Sequence, residues 1–269
     1  MDTTRIITLK RALDDFPFWG IAPPLDIKSL HSGLTNRSYL LVTAKGDYIL
    51  RLNNSNAYRL GISRRNEQRV LEAIEGEDFA PHTVYICPSY SYILTARIQG
   101  ESFLDKAPSA KELEELKAII SYYQQELDLN LTTISYRDQL LAYYTTALEC
   151  NAVDEPSAEQ WQSFQAELEA FEANQPPAIL CHGDLSPANI IRSNTGLKLI
   201  DWEFSNAGHP QLDLMAAKLI EANTPELKRL NNIIYWLDRL WMTIIPYYPK
   251  APEEDGQQYL PKDLYHFYD

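Results

Sequence analysis

Residues 178–203 constrain the fold more than any other stretch of this chain. Three side chains that can offer oxygen to a cation or accept a proton, Asp184, Asn189 and Asp201, fall just after or between short apolar runs. Those runs are Ala178-Ile179-Leu180-Cys181, which follows Pro176-Pro177, then Ile190-Ile191, then Leu197-Lys198-Leu199-Ile200. Their length and composition read as brief buried strands, which hold the intervening loops rigidly around one point. An Asn and an Asp that converge suit a hard, oxygen-seeking ion such as Mg²⁺, which keeps some water and takes its remaining ligands from phosphates. Asp184 is then left to accept a proton or a hydrogen bond from a hydroxyl, completing the parts that phosphoryl transfer to an alcohol requires.

The sequence upstream changes character near residue 100. Residues 38–42 and 47–52 flank a short connection, as do 82–86 and 91–95, so two antiparallel hairpins are predicted. Between them Ser63 is placed to N-cap a helix whose Glu67, Val70, Leu71 and Ile74 recur at i, i+3, i+4 and i+7 on one face. A carboxylate on that apolar stripe either needs a cation, Arg51 being the nearest candidate, or sits at the stripe's edge and reaches water. Beyond Gly100 the pattern is helical. Leu113, Leu116, Ile120, Tyr123 and Leu127 mark one helix, 138–148 another, and Trp161, Phe164, Leu168 and Phe171 a third, opened by a Ser157-x-x-Gln160 capping box. At least two helices close the chain, in the second of which Ile234, Leu237, Trp241 and Ile245 form a stripe. The stretch 249–263, with its prolines and charges, reads as an irregular surface tail. The expected fold is α+β and two-lobed: residues 1–98 a small antiparallel-sheet lobe, 99–269 a larger, mainly helical lobe, with Ile98-Gln99-Gly100 as the hinge.

The motif spacing is specific. His182-x-Asp184-x-x-x-x-Asn189, followed by Asp201 after an apolar strand, has the layout of a protein-kinase catalytic loop and metal-binding Asp, with Asp-Trp-Glu in place of Asp-Phe-Gly. The segments around His182-Gly183-Asp184-Leu185 and Ile200-Asp201-Trp202-Glu203 resemble those of the aminoglycoside phosphotransferase and choline kinase superfamily, over about residues 30–224. That resemblance implies a protein-kinase-like fold, ATP and Mg²⁺ as cofactors, Asp184 as catalytic base, and Asn189 and Asp201 as metal ligands. It also implies Arg51 as the cation on the nucleotide phosphates and Glu67 as the carboxylate that orients it. The loop His31-Ser32-Gly33-Leu34-Thr35-Asn36-Arg37-Ser38-Tyr39 resembles the nucleotide-covering loop of choline and thiamine kinases, which implies phosphate contacts from its backbone N–H groups and from Ser32, Gly33, Thr35 and Asn36. By the same resemblance His182 supports the catalytic loop, and Asp213 braces it.

The acceptor is a separate question, because one kinase machinery serves very different alcohols. Glu203 beside the metal-binding Asp, and an aromatic closing region that includes Tyr235, Trp236, Trp241, Tyr247, Tyr265, Phe267 and Tyr268, favour a cationic acceptor of the choline, ethanolamine or thiamine kind. Glu203 and Trp241 are the candidate acceptor contacts, although Trp241 on its helical stripe also fits a core position. An aminoglycoside phosphotransferase is the alternative enzyme, and a non-catalytic nucleotide-binding protein is the alternative outside enzymes. Intact Asp184, Asn189, Asp201 and Glu67 argue against the latter. With 24 Lys and Arg against 37 Asp and Glu, the net charge of −13 disfavours nucleic-acid and anionic-membrane partners. No apolar run approaches the length of a membrane span, and Cys87, Cys150 and Cys181 have no paired spacing, so a cytoplasmic location is expected and the oligomeric state is not readable.

Overall fold

The structure is a computed structural model that describes residues 6–260 apart from 32, 128, 132, 134 and 154. In chain order its helices and strands are α1 (Leu9–Leu13), β1 (Pro24–Leu30), β2 (Arg37–Thr43), β3 (Gly46–Leu52), α2 (Arg64–Ala73), β4 (Thr83–Ile86), β5 (Tyr92–Ala96) and β6 (Glu101–Ser102). There follow α3 (Ala110–Glu126), α4 (Tyr136–Glu149), α5 (Glu155–Glu172), β7 (Ile179–Cys181), β8 (Ile190–Ser193), β9 (Gly196–Leu199), β10 (Asn206–Gly208), α6 (Leu212–Ala216) and α7 (Pro225–Ile244). They form a two-lobed α+β arrangement, an antiparallel-sheet N-lobe and a larger helical C-lobe, that matches a protein-kinase-like fold. Among the described residues, one compact unit comprises 6–57, 81–99 and 248–260, and the other 58–80 and 100–247, so α2 groups with the second.

In the first unit the strands run in the order β1-β2-β3-β5-β4, all antiparallel. The two expected hairpins are its centre and one edge. Their period-2 alternation places Tyr39 and Leu41, Leu50 and Leu52, and Tyr92 and Leu94 in one buried cluster with Ile27, Phe16, Trp19 and Leu9. Arg51, between two fully buried leucines, is turned to the other face by the same alternation and is only half-buried.

Residues 249–260 depart from the sequence expectation, and 261–263 lie outside the described residues. The described part is not a surface tail. Ala251 joins the core cluster at 3% exposure, the Glu254 carboxylate accepts from the backbone N–H of Leu9, and the Gln257 amide donates to the Ile27 carbonyl at 3.0 Å. Irregular spacing hid this, because an extended segment can dock through single residues and polar side chains without any hydrophobic period. Gly256 packs directly on Ile27, and a Cβ added there would run into the Ile27 side chain and carbonyl.

In the second unit Ser63 caps α2 by accepting from the Asn66 N–H, as expected, and Ser109 with Glu112 forms a reciprocal capping box on α3. The Ser157 cap is a correction. The helix begins at Glu155, which leaves Ser157 inside its first turn. The stripe on α7 is also displaced from the expected one: Leu230, Ile233, Trp236, Leu240 and Ile244 are buried, with Trp236 packed on Trp161 and Phe164 at ring separations of 5.7 and 5.9 Å. Ile234 and Trp241 lie beside it, half-buried, because a 3.6-residue period in so apolar a helix fits two adjacent arcs and packing selects one. The aromatic residues at 265, 267 and 268 lie outside the described residues. Gly256→Ala should lower stability by about 1–3 kcal/mol through overpacking against Ile27; an unchanged melting temperature would show that the segment does not dock as described.

Candidate active site

The β8–β9 hairpin assembles the candidate site at one end of the second unit. Ile190 pairs with Leu199 and Ser193 with Gly196, so the residue before β8, Asn189, and the one reached just after β9, Asp201, emerge at the same end. The Ile200 N–H donates to the Asn189 carbonyl at 3.0 Å and extends that pairing by one step. Asp201 is left-handed, with φ 63° and ψ 60°, a conformation that Asp tolerates better than most residues. It turns the chain into the short helical turn 202–204.

Asp184 lies between β7 and this hairpin. The Asn189 side-chain amide donates to both the Asp184 carbonyl and its carboxylate, each at 2.9 Å. Because the nitrogen of that planar amide is spent on Asp184, its oxygen faces the opposite way, where it can act as a ligand. Burial raises the Asp184 pKa to about 6, against the lowering effect of the Asn189 bond, and the negative charges of Glu203, Asp238 and Asp213 add to the rise.

The loop that carries Asp184 is braced from behind. Asp213 is fully buried, and its carboxylate accepts from the Tyr123 hydroxyl at 2.6 Å, the His182 N–H at 2.8 Å and the Gly183 N–H at 3.1 Å. His182 is also fully buried, and burial lowers its pKa, so the ring is neutral. Its Nδ1 accepts from the Asp184 N–H at 3.4 Å, and its Nε2–H is left to donate to the Ile200 carbonyl at 3.0 Å. The ring packs 4.4 Å from Trp202, tying the loop to the Asp201 turn. His182 thus links the two halves of the site without facing solvent. Gly183 takes φ +82° where an added Cβ would meet the Phe204 carbonyl.

Glu67 and Glu203 meet through a residue to which the sequence reading gave no role. Arg64 donates to Glu67 and to Glu203 at 2.8 Å each, with both glutamate side chains 2% exposed and the arginine side chain 10% exposed. Glu203 is therefore buried against a cation. The i, i+3 spacing of Arg64 and Glu67 on one helix was the available signal. Trp241 packs edge-on to Phe204 at 6.3 Å, and its indole N–H is enclosed without an acceptor among the described residues.

In the first unit Arg51 pairs across β3 with Ser38 and Ile93, and its Nε donates to the Asn53 amide oxygen at 3.0 Å. Gly33 takes φ +88° in the loop between β1 and β2. Thr35 and Asn36 are buried: Asn54 donates its N–H to the Asn36 side-chain oxygen at 3.1 Å and its amide nitrogen to the Thr35 carbonyl at 3.2 Å. Ser32 lies outside the described residues.

A family model described as the phosphotransferase enzyme family matches residues 26–240. The chain belongs to that family. It is the superfamily of aminoglycoside phosphotransferases and choline kinases, so the resemblance carried by the motifs at 181–203 is borne out. Choline kinase LicA from Streptococcus pneumoniae shares the fold at 18% identity and a TM-score of 0.69, covering 88% of this chain and 90% of that one. A thermostable mutant of the aminoglycoside phosphotransferase APH(4)-Ia, in ternary complex with AMP-PNP and hygromycin B, does so at 18% identity and 0.65, covering 88% and 92%. The GDP and kanamycin complex of another aminoglycoside phosphotransferase gives 15% identity and 0.57, covering 89% of each chain. No curated protein matches the sequence.

This phosphotransferase-family chain is thus homologous to ATP-dependent phosphotransferases. Among the described residues no helix is long and apolar enough to cross a membrane, and no group of three or more His, Cys, Asp or Glu side chains could hold a metal unaided. The oxygen donors that Asn189 and Asp201 carry are of the kind that suits Mg²⁺, whose other ligands would be phosphates and water. Arg64→Met should cost about 3–5 kcal/mol in denaturant unfolding, because it removes the cation shared by two buried carboxylates. A loss below about 1 kcal/mol would mean that solvent reaches them.

Proposed function

We propose that the chain transfers the terminal phosphoryl group of ATP to a hydroxyl of a small, amine-bearing molecule. The observation that carries this is the Asp184–Asn189 clasp at the end of a hairpin that also delivers Asp201. Asp184 orients the acceptor hydroxyl and takes up its proton as the oxygen attacks phosphorus. Asn189 Oδ1 and the Asp201 carboxylate would hold Mg²⁺, which supplies charge neutralisation on the phosphates when bound. The family resemblance gives Arg51 the contact to those phosphates, Glu67 the role of orienting it, and the loop around Gly33, Thr35 and Asn36 the cover over the nucleotide. No covalent enzyme intermediate is needed; catalysis is positioning and electrostatics.

For the acceptor, an aminoglycoside-type amino sugar is placed ahead of choline, ethanolamine or thiamine. The comparisons support this order: the similar structures include aminoglycoside phosphotransferases holding hygromycin B and kanamycin. The geometry supports it too. The Glu203 carboxylate, on which the choline or thiamine reading leaned, is buried and already engaged by Arg64, which it shares with Glu67. A single quaternary cation held at an aromatic face would draw on Trp241, which here packs on Phe204.

An ADP-release panel over hygromycin B, kanamycin, choline, ethanolamine and thiamine, run on wild type and Asp184→Asn, tests both parts. Turnover of an amino sugar is expected, falling by about 10²–10⁴-fold in the variant while nucleotide affinity is kept. An Asp184→Asn enzyme as fast as wild type would remove the assigned base. Turnover of choline or thiamine alone would reverse the order of acceptors.

A further inference from the structure

The loop between β1 and β2 is built against the segment that follows α7, and one lysine of that segment touches the loop itself. Lys250 Nζ donates to the Gly33 carbonyl at 2.6 Å. Asn54 donates from one amide nitrogen to two carbonyls, Thr35 at 3.2 Å and Tyr248 at 2.9 Å, and so couples the loop to the start of the same segment. Arg37, the first residue of β2, donates to the Ala251 carbonyl at 3.3 Å and reaches Glu253 at 3.4 Å, while the Tyr39 hydroxyl accepts from the Glu254 N–H at 3.0 Å. Ala251 is buried in the sheet's own core, so these contacts are made by a fixed element.

The consequence follows from the planarity of the peptide unit. In a trans peptide the carbonyl of one residue and the N–H of the next point in opposite directions. Holding the Gly33 carbonyl toward Lys250 therefore turns the Leu34 N–H away from the segment, and holding the Thr35 carbonyl toward Asn54 turns the Asn36 N–H away from Asn54. A loop that binds phosphate through its N–H groups needs its carbonyls turned back and satisfied elsewhere. Gly33, at φ +88°, supplies the turn that makes this possible.

We infer that Lys250 is a positioning residue for the nucleotide: by gripping the Gly33 carbonyl it sets the β1–β2 loop with N–H groups directed at phosphate. This rests on the proposed phosphotransferase reading and extends it to a segment that the family model, ending at residue 240, does not include. In an acidic chain the lysine also brings one of few cations to the loop.

The test compares full-length wild type with Lys250→Met, Lys250→Gln, Lys250→Arg and Gln257→Ala. The readouts are Mg·AMP-PNP affinity by calorimetry, KM for ATP against kcat, and melting temperature. Losing one charge-assisted hydrogen bond should weaken AMP-PNP and raise KM for ATP by about tenfold in the Met and Gln variants, with kcat within about twofold. Arg should recover most of the affinity, because a guanidinium can donate to the same carbonyl. Gln257→Ala, which loosens the segment at Ile27, should leave nucleotide affinity unchanged. Wild-type affinity in both Lys250→Met and Lys250→Gln overturns the inference, and so does equal weakening in Gln257→Ala, which would make docking of the whole segment the cause. A wild-type protein that binds no AMP-PNP would bring down the phosphotransferase reading itself, and this inference with it.

Discussion

A carboxylate with no access to water must be met by donors, and Asp213 shows what that requirement can organise. Its two oxygens collect a tyrosine hydroxyl and two consecutive backbone N–H groups, from His182 and Gly183. A backbone caught at two successive residues has little freedom left, so the direction in which Asp184 leaves the loop is fixed from inside the core. The neutral His182 ring passes that constraint to the Ile200 carbonyl, one residue before Asp201. Satisfying one buried charge thereby sets both the proposed proton acceptor, Asp184, and the turn of the proposed metal ligand, Asp201, with every contact made within a single compact unit.

The same logic governs the distribution of charge. A chain of net charge −13 that handles phosphates has to place its cations where they count. Arg64 is spent internally, between Glu67 and Glu203, and that pairing changes what Glu203 can offer. A buried carboxylate already engaged by a guanidinium is less open to a substrate cation but is a sound fastening between α2 and the turn after Asp201. Asp184, with its pKa raised to about 6 by burial and by neighbouring carboxylates, is a group whose ionised form is held at a cost. Such a shift is common where a carboxylate is kept for chemistry rather than for stability.

Much of this was legible from residue order. Alternation in β2, β3 and β5, the Ser63 cap, and the apolar pairs around 181–199 each state a local preference that packing then obeys. What was not legible falls where local signals are ambiguous or absent. Helix α7 is apolar over so wide an arc that its buried stripe could not be told from its neighbour, and Trp241 changed character as a result. Helix α5 begins two residues before the Ser157 that looked like its cap. Residues 249–260 carry no period at all; they dock through Ala251, Glu254 and Gln257, a pattern visible only once the sheet they dock on exists. Arg64 stands three residues before Glu67 on the same helix, a spacing that brings the two side chains together, but an i, i+3 pair at a helix start is common on exposed surfaces and does not by itself mark a buried one.

The central claim is that Asn189 and Asp201 form half of a metal site that phosphates complete. Mn²⁺, a spectroscopic stand-in for Mg²⁺, tests it most directly by electron paramagnetic resonance, titrated into the protein with and without AMP-PNP. The account predicts weak Mn²⁺ binding alone, tight binding once AMP-PNP is present, and loss of the tight state in Asp201→Asn. Tight binding without nucleotide, or tight binding that survives Asp201→Asn, would contradict it.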